Sequence, residues 1–128
     1  MSLSEAIHRQ YRQTLILGLI RVVEELFPQE RLKIPYSILD GIYCELADSL
    51  LSPREVTQIE KKLHEWVDSQ PLFSFSLEDD GFFHCKICND QVKLLHPPLQ
   101  MKGPFYPFTL VYYPPGFILL FSNPTRPG

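Results

Sequence analysis

Residues 81–90, GFFHCKICND, carry the side chains with the clearest capacity for chemistry in the chain. Cys85 and Cys88 have the spacing of one zinc-binding knuckle, His84 directly precedes the first cysteine, and His96 follows the second. A structural zinc site needs four ligands, and no second CxxC and no HxxxH motif completes the set. Zinc bound by His84, Cys85, Cys88 and His96 is therefore the less favoured of two interpretations.

The favoured interpretation makes the same stretch a β-strand. Strand alternation puts Phe83, Cys85 and Ile87 on one face and His84 on the other, so Cys85 fills space in the core as a small apolar side chain. A redox pair would need its first cysteine at a helix N-terminus, and no helical pattern follows Cys88. The sequence thus predicts neither a metal nor any other cofactor.

Several other chemistries are excluded by composition and spacing. The six glycines stand at least twelve residues apart, so no phosphate-binding GxxxxGK[ST] or GxGxxG loop exists. A net charge of −3 gives no general attraction to nucleic acid or anionic lipid. Tyr112 and Tyr113 could stack on bases, but a single-strand binder normally adds a basic groove, which the nearby sequence does not supply.

Two helices are predicted from apolar periodicity. Residues 4–27 contain no proline and place one apolar stripe on a long helix: Ile7, Tyr11, Leu15, Leu19, Val22, Val23 and Leu26. The opposite side, with charged residues such as Arg21 and Glu24, is expected to be solvated. Residues 53–68 form the second helix, because Ser52 and Glu55 make a capping box and Pro53 occupies the first turn.

The remaining segments predict strands. Runs at 32–36 and 42–46 flank the turn signal Asp40-Gly41, and further β-prone runs lie at 72–77, 82–87, 92–95, 108–112 and 117–121. The fold class is α+β, with two helices packed on one face of a mostly antiparallel β-sheet. Residues 1–122 make one domain, and residues 123–128 make a flexible C-terminal tail. The longest apolar run is too short to cross a bilayer, so a cytoplasmic location and no membrane partner are expected.

The wording and order of these elements resemble a known domain. The first helix ends in ELFP, and YSILDGIYCEL and LSPREVTQIEKKLHEWV follow. This order is similar to the second additional domain of threonyl-tRNA synthetases, an editing-type fold. The final FTLVYYPPGFILLF resembles the region before the kinase core in bacterial uridine (nucleoside) kinases that carry a threonyl-synthetase-like N-terminus. The resemblance spans most of residues 11–124.

The resemblance also implies what is missing. Editing domains of this type are associated with an HxxxH pair on the first helix and a later CxxxH motif, which bind zinc or act on mischarged tRNA. In this chain Arg12 stands four residues after His8, and Asp48, Asn89 and Val92 stand where a histidine would follow each cysteine. None of the four ligand positions carries over, so hydrolytic editing is not expected.

The expected function is therefore a non-catalytic binding or accessory domain, related to the pre-kinase segment and binding a partner protein or a nucleotide/RNA ligand. Related folds hold their ligand between the first helix and the sheet, and the residues expected to line this cleft are Tyr11, Arg12, Tyr43, Tyr112 and Tyr113. A separately encoded kinase or synthetase would be one such partner. Two alternatives stay open: a degenerate editing-type metal-dependent hydrolase and a homodimerising interaction module.

Overall fold

The computed structural model describes residues 3–38, 41–69, 74–87, 90–94 and 108–121, with side chains for all of these except 3–9, 87 and 90. These residues form two helices and seven strands: α1 Leu3–Leu26, β1 Leu32–Ile38, β2 Gly41–Leu46, α2 Pro53–Asp68, β3 Ser74–Leu77, β4 Phe83–Ile87, β5 Asp90–Leu94, β6 Phe108–Tyr113 and β7 Gly116–Phe121. The proposed tail, residues 123–128, lies outside the described residues.

The α+β prediction is confirmed, and every described strand pair is antiparallel. The strands divide between two sheets, where the sequence pattern had suggested one. The first sheet has the order β1-β2-β7-β6, and the second has the order β3-β4-β5. Local hairpins account for most pairings. The pairing of β2 with β7 is different, because it joins strands that the second helix and the whole second sheet separate in sequence.

The main core lies between the helices and one face of the four-stranded sheet. From α1 it takes most of the predicted stripe, and from α2 it takes Val56, Ile59, Leu63 and Val67. The sheet contributes alternate residues of its two central strands, including Cys44 on β2 and Phe117 on β7, both completely buried. Alternation along each strand produces this one-sided packing, because residues two apart point to the same face.

A second, smaller core lies between the helices and the three-stranded sheet. It consists of Leu17, Cys85 and Leu94, with Trp66 and Val92 packed against it. Leu17 stands about 200° around α1 from Leu15, so the helix is buried on opposite sides. The helix pair is therefore a middle layer between two sheets.

This arrangement corrects the expectation that the second side of α1 is solvated. Glu24 and Glu25 are exposed, as expected, but Leu17 and Gly18 are buried. A Cβ on Gly18 would lie 2.5 Å from Cε3 of Trp66, because the indole ring rests on the backbone of α1 at this residue. The three-stranded sheet covers this part of the helix, and periodicity in α1 alone cannot reveal that cover.

The predicted second helix is confirmed with its cap. The backbone N–H of Ser52 donates to Glu55 Oε1 over 2.9 Å, and the backbone N–H of Glu55 donates to Ser52 Oγ over 3.2 Å. The hairpin of β1 and β2 is also confirmed, although Asp40 of its turn lies outside the described residues. Neither described helix combines the length and the apolar character needed to cross a membrane.

Candidate binding face of the four-stranded sheet

The two sheets differ in the face that each turns away from the helices. On the three-stranded sheet, this outer face is polar, and its described side chains are Ser74, Ser76, His84, Lys86, Gln91 and Lys93. On the four-stranded sheet, the register gives an outer face of Lys33, Tyr36, Ile38, Gly41, Tyr43, Glu45, Thr109, Val111, Tyr113, Gly116, Ile118 and Leu120. The second set is mainly apolar, although no described element covers it.

The name outer tyrosine face is used here for the central part of this surface: Tyr36, Ile38, Tyr43, Val111, Tyr113 and Ile118. Tyr36 and Tyr113 are 51% and 53% exposed, and Val111 is 41% exposed. Tyr36, Ile38, Val111 and Ile118 were not among the residues predicted from sequence. One feature of the sequence could have predicted an apolar outer face. The β7 segment GFILLF is apolar without alternation, which is typical of a strand buried on both faces.

Three tyrosines form a continuous row across the outer tyrosine face. The rings of Tyr36 and Tyr43 are stacked, with centroids 5.0 Å apart and planes 13° apart. Tyr113 meets the other side of Tyr43 edge-on, with centroids 6.0 Å apart. Tyr113 lies opposite Gly116 in the β6–β7 register, so no β7 side chain separates its ring from β2. Tyr43 is only 4% exposed because its two neighbours cover it.

The hydroxyl of Tyr43 is held in place by Glu45. It donates a hydrogen bond to Glu45 Oε2 over 3.0 Å. Burial, together with this hydrogen bond and the carboxylate charge, raises the pKa of Tyr43 to about 12. The phenol therefore stays protonated at neutral pH, and its ring serves as a fixed apolar support for Tyr36 and Tyr113.

Both edges of the four-stranded sheet carry features that oppose pairing with another strand. On β6, Glu60 Oε2 accepts from the Leu110 backbone N–H over 2.7 Å and from Thr109 Oγ1 over 2.8 Å. On β1, Pro35 has no N–H, and the register shifts between Lys33 and Tyr36. Such features are common protection for sheet edges. A partner would therefore meet this sheet by its face.

The five residues predicted to line a ligand cleft do not gather at one place. Tyr43 and Tyr113 meet on the outer tyrosine face. Tyr11 is completely buried in the main core, where aromatic packing fills the space between α1 and the sheet. Arg12 lies with its guanidinium carbon 4.6 Å from the centroid of the Phe121 ring, and Tyr112 shares the helix-side face with Phe117. The sequence showed aromatic residues but not the side of the sheet on which each lies.

The CxxC segment is described only in part. Cys85 is completely buried against Leu17 and Leu94, as the strand interpretation requires. Burial raises the pKa of Cys44 to about 12 and also raises the pKa of Cys85, so both thiols stay protonated at neutral pH. Among the residues that the structure describes, no three His, Cys, Asp or Glu side chains are grouped as a metal site. Cys88 and His96 lie outside the described residues. That the CxxC segment binds no zinc therefore stays a prediction from the sequence.

His84 points away from Cys85 and has both ring nitrogens engaged. Its Nε2 lies 2.8 Å from Asp80 Oδ2, and its Nδ1 lies 3.1 Å from the amide nitrogen of Gln91. The amide can only donate, so Nδ1 is the acceptor and Nε2 carries the proton. Neither nitrogen is then available as a general base, and the residue instead ties the β3–β4 turn to β5.

Asp80 anchors this turn and makes the stability of the folded protein depend on pH in the acidic range. The hydrogen bond from the Phe82 backbone N–H, followed by the one from His84, lowers the pKa of Asp80 below its usual 3.8. Because the carboxylate is favoured in the folded state, its contribution is complete above the unfolded pKa and is lost as the pH falls below about 4. We expect urea unfolding from pH 6 to 2.5 to show a smaller acid loss for Asp80→Asn than for the unmodified protein. A constant difference between the two proteins over this range would contradict the assignment.

Comparison with protein-family models, curated proteins and solved structures gives no match. The surface of the molecule is therefore the basis on which its function is proposed.

Proposed function

We propose that this chain is a non-catalytic interaction domain that binds a partner protein through the outer tyrosine face. The observation that carries the proposal is the contrast between the two outer sheet faces of one molecule. The polar outer face of the three-stranded sheet can be exposed to water without an unfavourable free energy of hydration. The same contact with Tyr36, Val111 and Tyr113 leaves apolar surface hydrated.

The tyrosine row has the properties of a binding surface for protein. Tyrosine side chains offer large, rigid contact areas that lose little conformational entropy on binding, and they are enriched where binding energy is concentrated. Tyr36 and Tyr113 are the exposed members, and Tyr43 fixes the positions of both. This support is already assembled in the free protein, which lowers the ordering cost of binding.

Charge favours a protein partner over nucleic acid. The charged strand residues on the described outer face are Lys33 and Glu45, which have opposite signs. Single-stranded RNA requires both stacking aromatics and a positive groove that follows the phosphates. The outer tyrosine face supplies only the aromatics.

Site-specific photo-crosslinking can test this proposal in the cells that make the protein. Benzoylphenylalanine would replace Tyr36 in one variant and Tyr113 in a second. We expect a discrete crosslinked protein product from both positions, because both rings face the partner. Addition of Val111→Lys should abolish the product, because it places a charge in the apolar contact. Circular dichroism would establish that each variant remains folded.

The matched control is benzoylphenylalanine at Lys93, whose side chain is 61% exposed on the outer face of the other sheet. No discrete product is expected there. Equal products from Tyr36 and Lys93 would overturn the proposal, as would none from Tyr36 and Tyr113. Fluorescence titration with oligouridylate tests the RNA alternative. Binding that Tyr36→Thr and Tyr113→Thr both weaken would replace the protein partner with nucleic acid.

A further inference from the structure

The edges of the two sheets differ in how well they are protected. The edges at β1 and β6 carry Pro35 and the Glu60 carboxylate. The edge strand β5 carries Lys93, whose side chain is 61% exposed. Proline and charged side chains commonly protect an edge against strand addition. The edge strand β3, Ser74–Leu77, has the sequence SFSL and contains neither, so it is the unprotected edge among the described strands.

The backbone groups at the free edge of β3 belong to Phe75 and Leu77. Just beyond the strand, the Glu78 N–H donates to the Phe82 carbonyl oxygen over 3.1 Å, which continues the β3–β4 register. Successive residues of a strand turn their N–H and C=O groups to opposite sides, so Ser76 faces β4 while Phe75 and Leu77 face away from it. No described strand pairs with this edge. The N–H and C=O groups of both residues are therefore available to a further strand.

The side chains of the same two residues form an apolar shelf beside this edge. They lie on the helix-side face, because Phe75 is paired with Cys85 and Leu77 with Phe83. Cys85 is completely buried, but Phe75 and Leu77 are 41% and 63% exposed, so the helix pair covers β4 and stops short of β3. An added strand would therefore not meet the helices of the chain that it joins. Its own apolar side chains would be stabilised by burial against the shelf.

We infer that the strand added at this edge is β3 of a second copy, paired antiparallel about a two-fold axis perpendicular to the sheet. The axis passes between the two Ser76 residues and places Phe75 of each copy opposite Leu77 of the other. The two three-stranded sheets then become one continuous sheet. Self-association thus uses a different sheet from the one that carries the outer tyrosine face.

The reason to choose a second copy is that β3 matches its own edge in backbone, side chains and charge. Opposing Phe75 to Leu77 joins the residues whose backbone groups face the free edge, so all of these groups form hydrogen bonds in the dimer. The same register keeps both apolar side chains on the helix-side face, where each aromatic ring lies beside an aliphatic side chain. Glu78 lies opposite Ser74 of the other copy, so the acidic turns of the two copies lie at opposite ends of the pairing.

Sedimentation velocity can test the pairing with two variants of Leu77. Strands of four residues make a small interface, so we expect a monomer at roughly 10 μM and a dimer at roughly 500 μM. Leu77→Lys places a charge on the apolar shelf, and Leu77→Pro removes an N–H that faces away from β4, a change that a sheet edge tolerates. Each variant should dimerise at least about tenfold more weakly than the unmodified chain. Circular dichroism would establish that both remain folded.

Val111→Lys is the matched control, since it also places a lysine at an exposed apolar residue, but on the outer tyrosine face. It should leave the β3 dimer unchanged and abolish the crosslinked product from Tyr36, whereas Leu77→Lys should do the reverse. A dimer that Val111→Lys dissociates and Leu77→Lys does not would overturn the β3 pairing but support the proposed function. A β3 dimer without crosslinks from Tyr36 or Tyr113 would support the pairing and overturn the proposed function alone.

Amide hydrogen exchange in the unmodified chain gives a second test that needs no variant. The N–H groups of Phe75 and Leu77 should exchange quickly at about 10 μM and several-fold more slowly at about 500 μM. The Ser76 N–H, which faces β4, should be protected at both concentrations. Slow exchange of Phe75 and Leu77 in the dilute monomer would mean that the edge is already occupied, and this result overturns the pairing. A chain that stays monomeric at about 500 μM overturns it as well.

Discussion

Replacement of Gly116 by alanine should lower the free energy of unfolding by about 3 kcal/mol or more. A Cβ at this residue would overlap the carbonyl oxygen of Cys44 and would lie 2.9 Å from the Cα of Glu45. Both obstacles are backbone atoms of β2, so no rotamer change relieves them. The β2–β7 pairing would have to separate, and this pairing joins the two hairpins of the four-stranded sheet. Urea denaturation followed by circular dichroism measures the loss.

Gly81→Ala is the matched control, because it adds the same methyl group where no heavy atom beyond the two chain neighbours lies within 4 Å. Gly81 has a φ of +86°, so alanine should cost only the backbone penalty, roughly 1–2 kcal/mol. The Gly116 variant should therefore be clearly the less stable of the two. Equal losses would mean that strand separation at Gly116 is easy and that the close approach of β2 and β7 is unimportant for stability.

The second large effect is expected at Trp66. Its side chain packs against both cores, and its ring lies on α1 at Gly18. Trp66→Ala should cost about 3 kcal/mol, the lower end for an aromatic truncation because the residue is partly exposed. The loss of local stability should be greater in the three-stranded sheet than in the four-stranded sheet, because Cys85 and Leu94 belong to a small core with few other neighbours. Amide hydrogen exchange should accelerate more in β4 and β5 than in β2 and β7.

Lys61→Ala serves as the control for Trp66, since Lys61 is an exposed residue of the same helix and should change stability by less than about 0.5 kcal/mol. Uniform acceleration of exchange in both sheets would show that the molecule opens as one unit. In that case the second core would have no independent stability, and the assignment of Trp66 as its main support would be wrong.

Local signals in the sequence determined much of the fold. The capping box defined α2, and turn residues defined the hairpins, because both depend on neighbours within a few residues. The division into two sheets depends on which distant strands pair, and no local pattern encodes the pairing of Ile42 with Leu119. The packing of α1 could not be predicted for the same reason. The local pattern around Leu17 does not indicate that a second sheet covers this side of the helix.

The candidate site was only partly predictable for a related reason. Tyr43 and Tyr113 were identified as candidate binding residues, but Tyr11 was grouped with them although it lies in the core. A tyrosine has an apolar ring and a polar hydroxyl, so its type alone fits both a core and a surface. The face on which Tyr36 and Val111 lie follows from strand register, which becomes known only when the pairing partners are known.

The middle position of the helix pair has a consequence for synthesis. Translation makes α1 first, yet its cover on one side includes β7, whose last residue is Phe121. On the other side, the cover is β4 and β5, made only after α2. The buried apolar side chains of α1 must therefore leave the ribosome well before the strands that shield them exist, a situation that exposes a nascent chain to aggregation. We expect this protein to reach its native state late, after nearly all of the described strands have been made.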